Sequence, residues 1–132
     1  MEDGLIPAAS ICLLDRSRGR VLIGRRKVAP SAGSWAFPGG RTVPGETLLE
    51  TGFRELEEET GIHLPIRDPA ATYTVLAGRP ARYRVTCFVV EIADGPQPVP
   101  GPELDARWVA LREAPALRPM TPGTRRVLRE LS

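Results

Sequence analysis

Glu46, Glu50, Glu55, Glu57, Glu58 and Glu59 crowd one short stretch of this 132-residue chain, with Arg54 the single base among them. The stretch carries −5 and the other residues sum to +7, so the formal net charge of +2 describes neither part. Carboxylates that share a helix face repel one another unless a cation joins them. Their hard oxygens suit Mg2+, which keeps waters and substrate phosphates in its remaining positions. A bound divalent cation neutralises crowded anionic charge and lowers the pKa of its water, so the chemistry such a cluster could do is metal-assisted hydrolysis. Taken alone, an acidic run reads by default as a solvated helix face.

Local sequence says what must position these carboxylates. Thr47-Leu48-Leu49-Glu50 has the form of a capping box, and Gly61 stands where a helix ends in a left-handed residue. The spacing predicts a helix from about Leu48 to Thr60. At about 100° per residue, Glu55, Glu58 and Glu59 share one sector, and Leu49, Phe53, Leu56 and Thr60 form a separate packing stripe. Glu50 and Glu57 project toward solvent. Gly52 costs a helix interior up to about 1 kcal/mol, a cost that close packing on a sheet would explain.

Fourteen prolines and thirteen glycines cut the rest into short elements. Residues 8–14 and 20–24 read as strands joined by a turn over 15–19, and a loop over 27–34 leads to Trp35-Ala36-Phe37-Pro38-Gly39-Gly40. Residues 70–77 and 81–92 read as a hairpin around Gly78-Arg79-Pro80. The segment 93–102, with four prolines and two glycines, is a loop before a short strand at 107–109. A closing helix is expected over 122–131. The expected organisation is one mixed α/β domain, residues 1–132, with a central sheet and two helices.

Composition removes several classes. A chain that is 42% hydrophobic and 26% charged is neither disordered nor fibrous. No run approaches the roughly 18 apolar residues of a membrane-spanning helix, so no membrane partner is expected. Met1-Glu2-Asp3-Gly4 is acidic where a secretory signal is basic, which makes the cytoplasm the expected location. Cys12 and Cys87 sit in apolar runs without metal-ligand spacing and read as core thiols. His63 is the only histidine, so multi-histidine zinc sites and His-based triads drop out. Lys27 is the only lysine among eighteen bases, and the arginines are scattered with no RNA-binding aromatic motif, so no nucleic-acid partner is expected.

Gly40, five residues, Glu46, seven residues, then Arg54-Glu55-Leu56-Glu57-Glu58-Glu59-Thr60-Gly61-Ile62 fits GX5EX7REUXEEXGU at every specified position. This resembles the signature of the Nudix hydrolases. Seven fixed and two aliphatic positions match a random window with a probability on the order of 10⁻¹⁰, far below that of a lone glycine pattern. The resemblance implies an α/β class fold, the family's α/β/α sandwich with a mixed central sheet. It also implies Mg2+, with Mn2+ as a substitute, and hydrolysis of a nucleoside diphosphate linked to another moiety.

Carried onto this chain, the resemblance makes Glu58 and Glu59 the principal metal ligands and Glu55 a further ligand or the base that activates water. Gly39 offers a backbone carbonyl to the metal. Arg54 and Glu46 form a supporting ion pair, with Gly40 supporting the loop. Glu103, on a later loop, is the alternative general base. Arg25, Arg26, Arg82 and Arg84 are candidate contacts for substrate phosphates, and Trp35 and Phe37 are either core or stacking partners for a base. The substrate expected is a small nucleotide, either an ADP-ribose-like nucleotide sugar or a (d)NTP. A homodimer is common in that family. A competing reading is a Nudix-like module that senses a nucleotide without cleaving it; such modules usually lose a box glutamate, and this chain retains all three.

Overall fold

Successive residues of a strand point to opposite faces, so the unbroken apolar run Ile11-Cys12-Leu13-Leu14 demands cover on both sides of a sheet. All four are fully buried in a computed structural model that describes residues 4–131. The acidic terminus, Met1 to Asp3, lies outside the described residues. The strands are β1 (Ile6–Asp15), β2 (Arg20–Arg26), β3 (Trp35–Ala36), β4 (Gly39–Arg41), β5 (Ala71–Ala77), β6 (Tyr83–Ile92) and β7 (Leu104–Ala110). The helices are α1 (Leu48–Thr60) and α2 (Pro122–Leu131).

The seven strands make one mixed sheet in the order β3-β2-β1-β6-β5, with β4 also paired to β1 and β7 to β2. β1 runs parallel to β6, from Ile6 opposite Tyr83 to Asp15 opposite Ile92, and antiparallel to β4 and β2. One face of β1 sends Cys12 and Leu14 into a core with Val21, Ile23, Trp35, Phe37, Val127 and Leu128. The other sends Ile11 and Leu13 against Phe53 and Leu56 of α1. Each helix therefore covers one face, and the architecture is the α/β/α sandwich expected.

The elements follow their local signals. In α1 the Thr47 hydroxyl accepts from the Glu50 N–H at 3.1 Å, the Glu50 carboxylate accepts from the Thr47 N–H at 2.8 Å, and Gly61 closes the helix at φ 72°. Phe53, Leu56 and Thr60 are buried and Leu49 packs partly against them, as the stripe requires. A Cβ on Gly52 would stand 2.8 Å from Ile11 Cδ1, so the glycine lets the helix lie close on the sheet. The hairpin of β5 and β6 forms around the expected turn.

The short strands β3 and β4 fall where no strand is expected, and other elements differ in extent or form. The turn after β1 contains one turn of 3-10 helix at Arg16–Arg18, capped by the Asp15 carboxylate. β7 begins three residues before 107, because Leu104 pairs with Arg26 on a longer β2. Cys12 and Cys87 are buried free thiols, and Trp35 and Phe37 belong to the core. Among the described residues no helix is long and apolar enough to cross a membrane.

Candidate active site

Packing α1 on the sheet divides its glutamates by environment. Glu55 and Glu59 are buried, at 9% and 4% exposure, whereas Glu58 stands in solvent. Burial, followed by the charge of Glu58, pushes Glu55 up to about 7, against the attraction of Arg54. Burial also raises Glu59, although hydrogen bonds from the backbone of Glu103 and Leu104 oppose it. Among the described residues Glu59 has no cationic partner. A buried carboxylate without a counter-charge is costly, and a cation at that place would remove the cost.

Arg54 organises the helix side of the site. Its Nε and Nη2 donate to the two oxygens of Glu46 at 2.7 and 3.0 Å, a bidentate pair. Nη1 reaches Glu55 at 3.1 Å and Glu58 at 3.0 Å, and Nη2 also donates to the Arg41 carbonyl at 3.1 Å. The Arg54 contact, with the Thr51 hydroxyl, holds Glu46 down at about 2. Glu46 thus braces the loop before α1 against the helix. Because Arg54 lies between Glu55 and Glu58, no three acidic, histidine or cysteine side chains among the described residues meet in a ready-made metal cage.

β4 brings the two glycines to the carboxylates. A Cβ on Gly40 would collide with the Glu55 carboxyl group, and one on Gly39 would lie 2.6 Å from the Ala9 carbonyl oxygen. Only glycine leaves Glu55 room at this point. Beside it opens a cavity of about 1040 Å³, whose lining includes Gly39, Gly40, Arg54, Glu55 and Glu103 together with the apolar Phe37, Val75, Val85 and Val127. A cleft that combines apolar walls with charged groups, among them Arg26, Arg54, Glu55, Arg82 and Glu103, has the form of a small-molecule site.

The family profile described as the NUDIX domain matches residues 4–131. The chain belongs to the NUDIX domain family. It is 35% identical over 68 residues to the low-salt glycan biosynthesis protein Agl8 of Haloferax volcanii, an overlap of 52% of this chain and 44% of that protein. It is 26% identical over 114 residues to an ADP-ribose pyrophosphatase of Methanocaldococcus jannaschii, covering 86% of this chain and 68% of the other. The chain thus spans less than half the length of the first of these relatives. A MutT NUDIX hydrolase from Burkholderia pseudomallei has the same fold, with a TM-score of 0.76 at 24% identity over 96% of this chain and 98% of that one.

Within this NUDIX chain the expected site residues are only partly gathered. Gly39, Gly40, Arg54, Glu55, Glu103, Arg26 and Arg82 line the cavity. Glu46, Glu58 and Glu59 lie on the α1 side, joined to it through Arg54 and the Glu103 backbone. Arg25 instead packs over Trp35 and donates to the Gly33 carbonyl, and Arg84, opposite Leu76 in the sheet, does not line the cavity. His63 is exposed beside Glu57.

A strap that no sequence motif marks closes the NUDIX helix. The Glu103 N–H donates to Glu59 Oε1 at 3.0 Å, and the Val99 N–H to the Thr60 carbonyl at 2.8 Å. Lys27, the sole lysine, fastens the strap by donating from Nζ to the Gly101 carbonyl at 2.7 Å and from its N–H to the Glu103 carbonyl at 2.9 Å. Backbone contacts of this kind leave no residue-type signature. Arg41, at an unspecified position of the motif, and Arg79, in the turn between β5 and β6, also line the cavity.

Proposed function

We propose that this chain is a divalent-metal-dependent pyrophosphohydrolase acting on a nucleoside diphosphate linked to another moiety, an ADP-ribose-like nucleotide sugar or a (d)NTP. The observation that carries the reading is the pair of buried carboxylates, Glu55 at the wall of a cavity large enough for a nucleotide and Glu59 joined to it through the Glu103 backbone, with no cationic partner for Glu59 among the described residues. Glu58 and Glu59, with the Gly39 carbonyl, are the hard oxygen donors that would hold Mg2+, or Mn2+ in its place. When bound, the metal neutralises pyrophosphate charge and makes its water more acidic.

The chain's own residues do the rest. Glu55, its carboxyl held against Gly40 at the wall of the cavity, takes the proton of the attacking water at a carboxylate oxygen. Arg54 and Glu46 keep that carboxylate against Gly40. Arg26, which lines the cavity and spends its Nε on the Pro30 carbonyl, supplies further N–H groups to phosphate oxygens. The apolar wall of Phe37, Val75 and Val85 receives the base and excludes water from it.

The test is a panel of ADP-ribose, NADH, diadenosine polyphosphates and (d)NTPs with Mg2+ or Mn2+, scored by release of phosphate and nucleoside monophosphate. Hydrolysis of at least one compound, abolished by EDTA, is expected. Tight binding of one nucleotide with no cleavage of any would replace this reading with the sensing module.

A further inference from the structure

Thr51 stands where the signature specifies no residue, between Glu46 and Arg54. It is fully buried, three residues before Arg54 and four before Glu55, which makes it their neighbour on α1. A threonine inside a helix ordinarily satisfies its hydroxyl on the carbonyl four residues back. Thr60 of the same helix does this, donating to the Leu56 carbonyl at 2.6 Å. Thr51 has that partner too, the Thr47 carbonyl at 3.0 Å, but lies closer to Glu46 Oε1, at 2.7 Å. A hydroxyl carries one proton, and the shorter contact to a carboxylate takes it.

That bond completes the hold on Glu46. Its Oε1 accepts from Thr51 and from Arg54 Nη2 at 3.0 Å, its Oε2 from Arg54 Nε at 2.7 Å, and the Val43 N–H is farther away at 3.4 Å. Glu46 lies on the loop before α1, outside any helix or strand. Without Thr51 its carboxylate is tied to α1 only by the guanidinium that it holds. Arg54 has one nitrogen left over, Nη1, which it divides between Glu55 Oε2 at 3.1 Å and Glu58 Oε1 at 3.0 Å. A guanidinium released from Glu46 would be free to turn its whole fork onto these two, since a bidentate pair is the stronger arrangement. It would then compete with a cation for the Glu58 oxygens and tie up those of Glu55.

We propose that Thr51 is a positioning residue of this site: its hydroxyl locks the Glu46 carboxylate, so that Arg54 stays forked on Glu46 and leaves Glu58 free for a divalent cation and Glu55 free to take a proton. The inference rests on the hydrolase reading for the use made of that cation, but its test needs no turnover. Two substitutions separate the two parts of the side chain. Thr51→Val keeps the buried volume and removes the hydroxyl, whereas Thr51→Ser keeps the hydroxyl and deletes a buried methyl group.

The experiment compares the unaltered protein, Thr51→Val and Thr51→Ser, each freed of metal with EDTA and dialysed. Mn2+ affinity is measured without nucleotide from the electron paramagnetic resonance signal of the free ion, and exchange of the Arg54 Nε–H with water is measured by NMR. In Thr51→Val the dissociation constant for Mn2+ should rise about tenfold, as when a hydrogen bond that orients a ligand is lost, and the Nε–H should exchange faster. Thr51→Ser should match the unaltered protein in both, although the missing methyl group lowers its Tm. A residue that merely packs would give the opposite order, because affinity would then follow Tm. Valine equal to the unaltered protein in either readout, or serine as impaired as valine, would overturn the proposal. The expected differences in a protein that cleaves nothing in the substrate panel would count against the hydrolase reading alone.

Discussion

The backbone N–H of Glu103 donates to Oε1 of Glu59 across 44 positions of sequence, at 3.0 Å. A loop that the proline and glycine content forbids from being helix or central strand thereby orients a buried carboxylate of α1. The strap fits because Gly101 has no side chain: a Cβ there would collide with the Glu59 backbone. Backbone cannot yield as a flexible side-chain end can, so in Gly101→Ala the strap must retreat. The expected cost is about 1–3 kcal/mol of stability by denaturant titration, the usual range for overpacking. Divalent-metal affinity should fall about tenfold, as when a hydrogen bond that orients a ligand is removed. Unaltered metal affinity in a destabilised variant would reduce the strap to a structural element.

Gly40→Ala separates site geometry from stability. Its Cβ would meet the far end of the Glu55 side chain, which can swing away, so unfolding free energy should change by less than about 1 kcal/mol. The displaced carboxylate should lower kcat/KM by about 10- to 100-fold, since small misplacements of a reacting group are expensive. Steady-state kinetics beside a thermal melt checks both halves.

Acid sensitivity should arise at two carboxylates held at about 2, Glu46 beside Arg54 and Asp15 far from the site. Burial alone would push the Asp15 carboxyl up, but donors from the Ser17 hydroxyl, the Gly95 N–H, the Arg20 guanidinium and the Arg18 N–H together bring it down to about 2. A depressed carboxylate contributes stability that is complete above its unfolded value of about 3.9 and is lost as pH falls through the folded one. Tm should therefore drop between about pH 4 and pH 2. Asp15→Asn should be less stable at neutral pH and show a shallower drop across that window.

Much of this fold was legible because its signals are local. The capping box at Thr47 and Glu50, the left-handed Gly61 and the 3.6-residue stripe of Phe53, Leu56 and Thr60 each fix α1 without help from the rest of the chain. The division among its glutamates was not legible. Helical angle puts Glu55, Glu58 and Glu59 in one sector, yet burial depends on which residues of β4 and the strap cover that sector, and so only Glu58 is exposed. Long-range partners were hidden for the same reason: Lys27 holds the Gly101 carbonyl, and nothing in either residue's identity says so. Arg25 and Arg26 look alike in sequence, but strand alternation sends one over Trp35 and the other to the cavity.

The central claim, that the α1 carboxylates carry metal-dependent hydrolysis, is tested most directly by Glu58→Gln. The Glu58 side chain is 50% exposed and its partner is Arg54, so the substitution keeps the shape and leaves the core untouched. Phosphate release is measured for the unaltered and variant proteins on whichever nucleotide the panel identifies, across a Mg2+ titration, beside a thermal melt. The account predicts an unchanged fold, with turnover lost at every Mg2+ concentration. Undiminished Mg2+-dependent hydrolysis by the folded variant would contradict it.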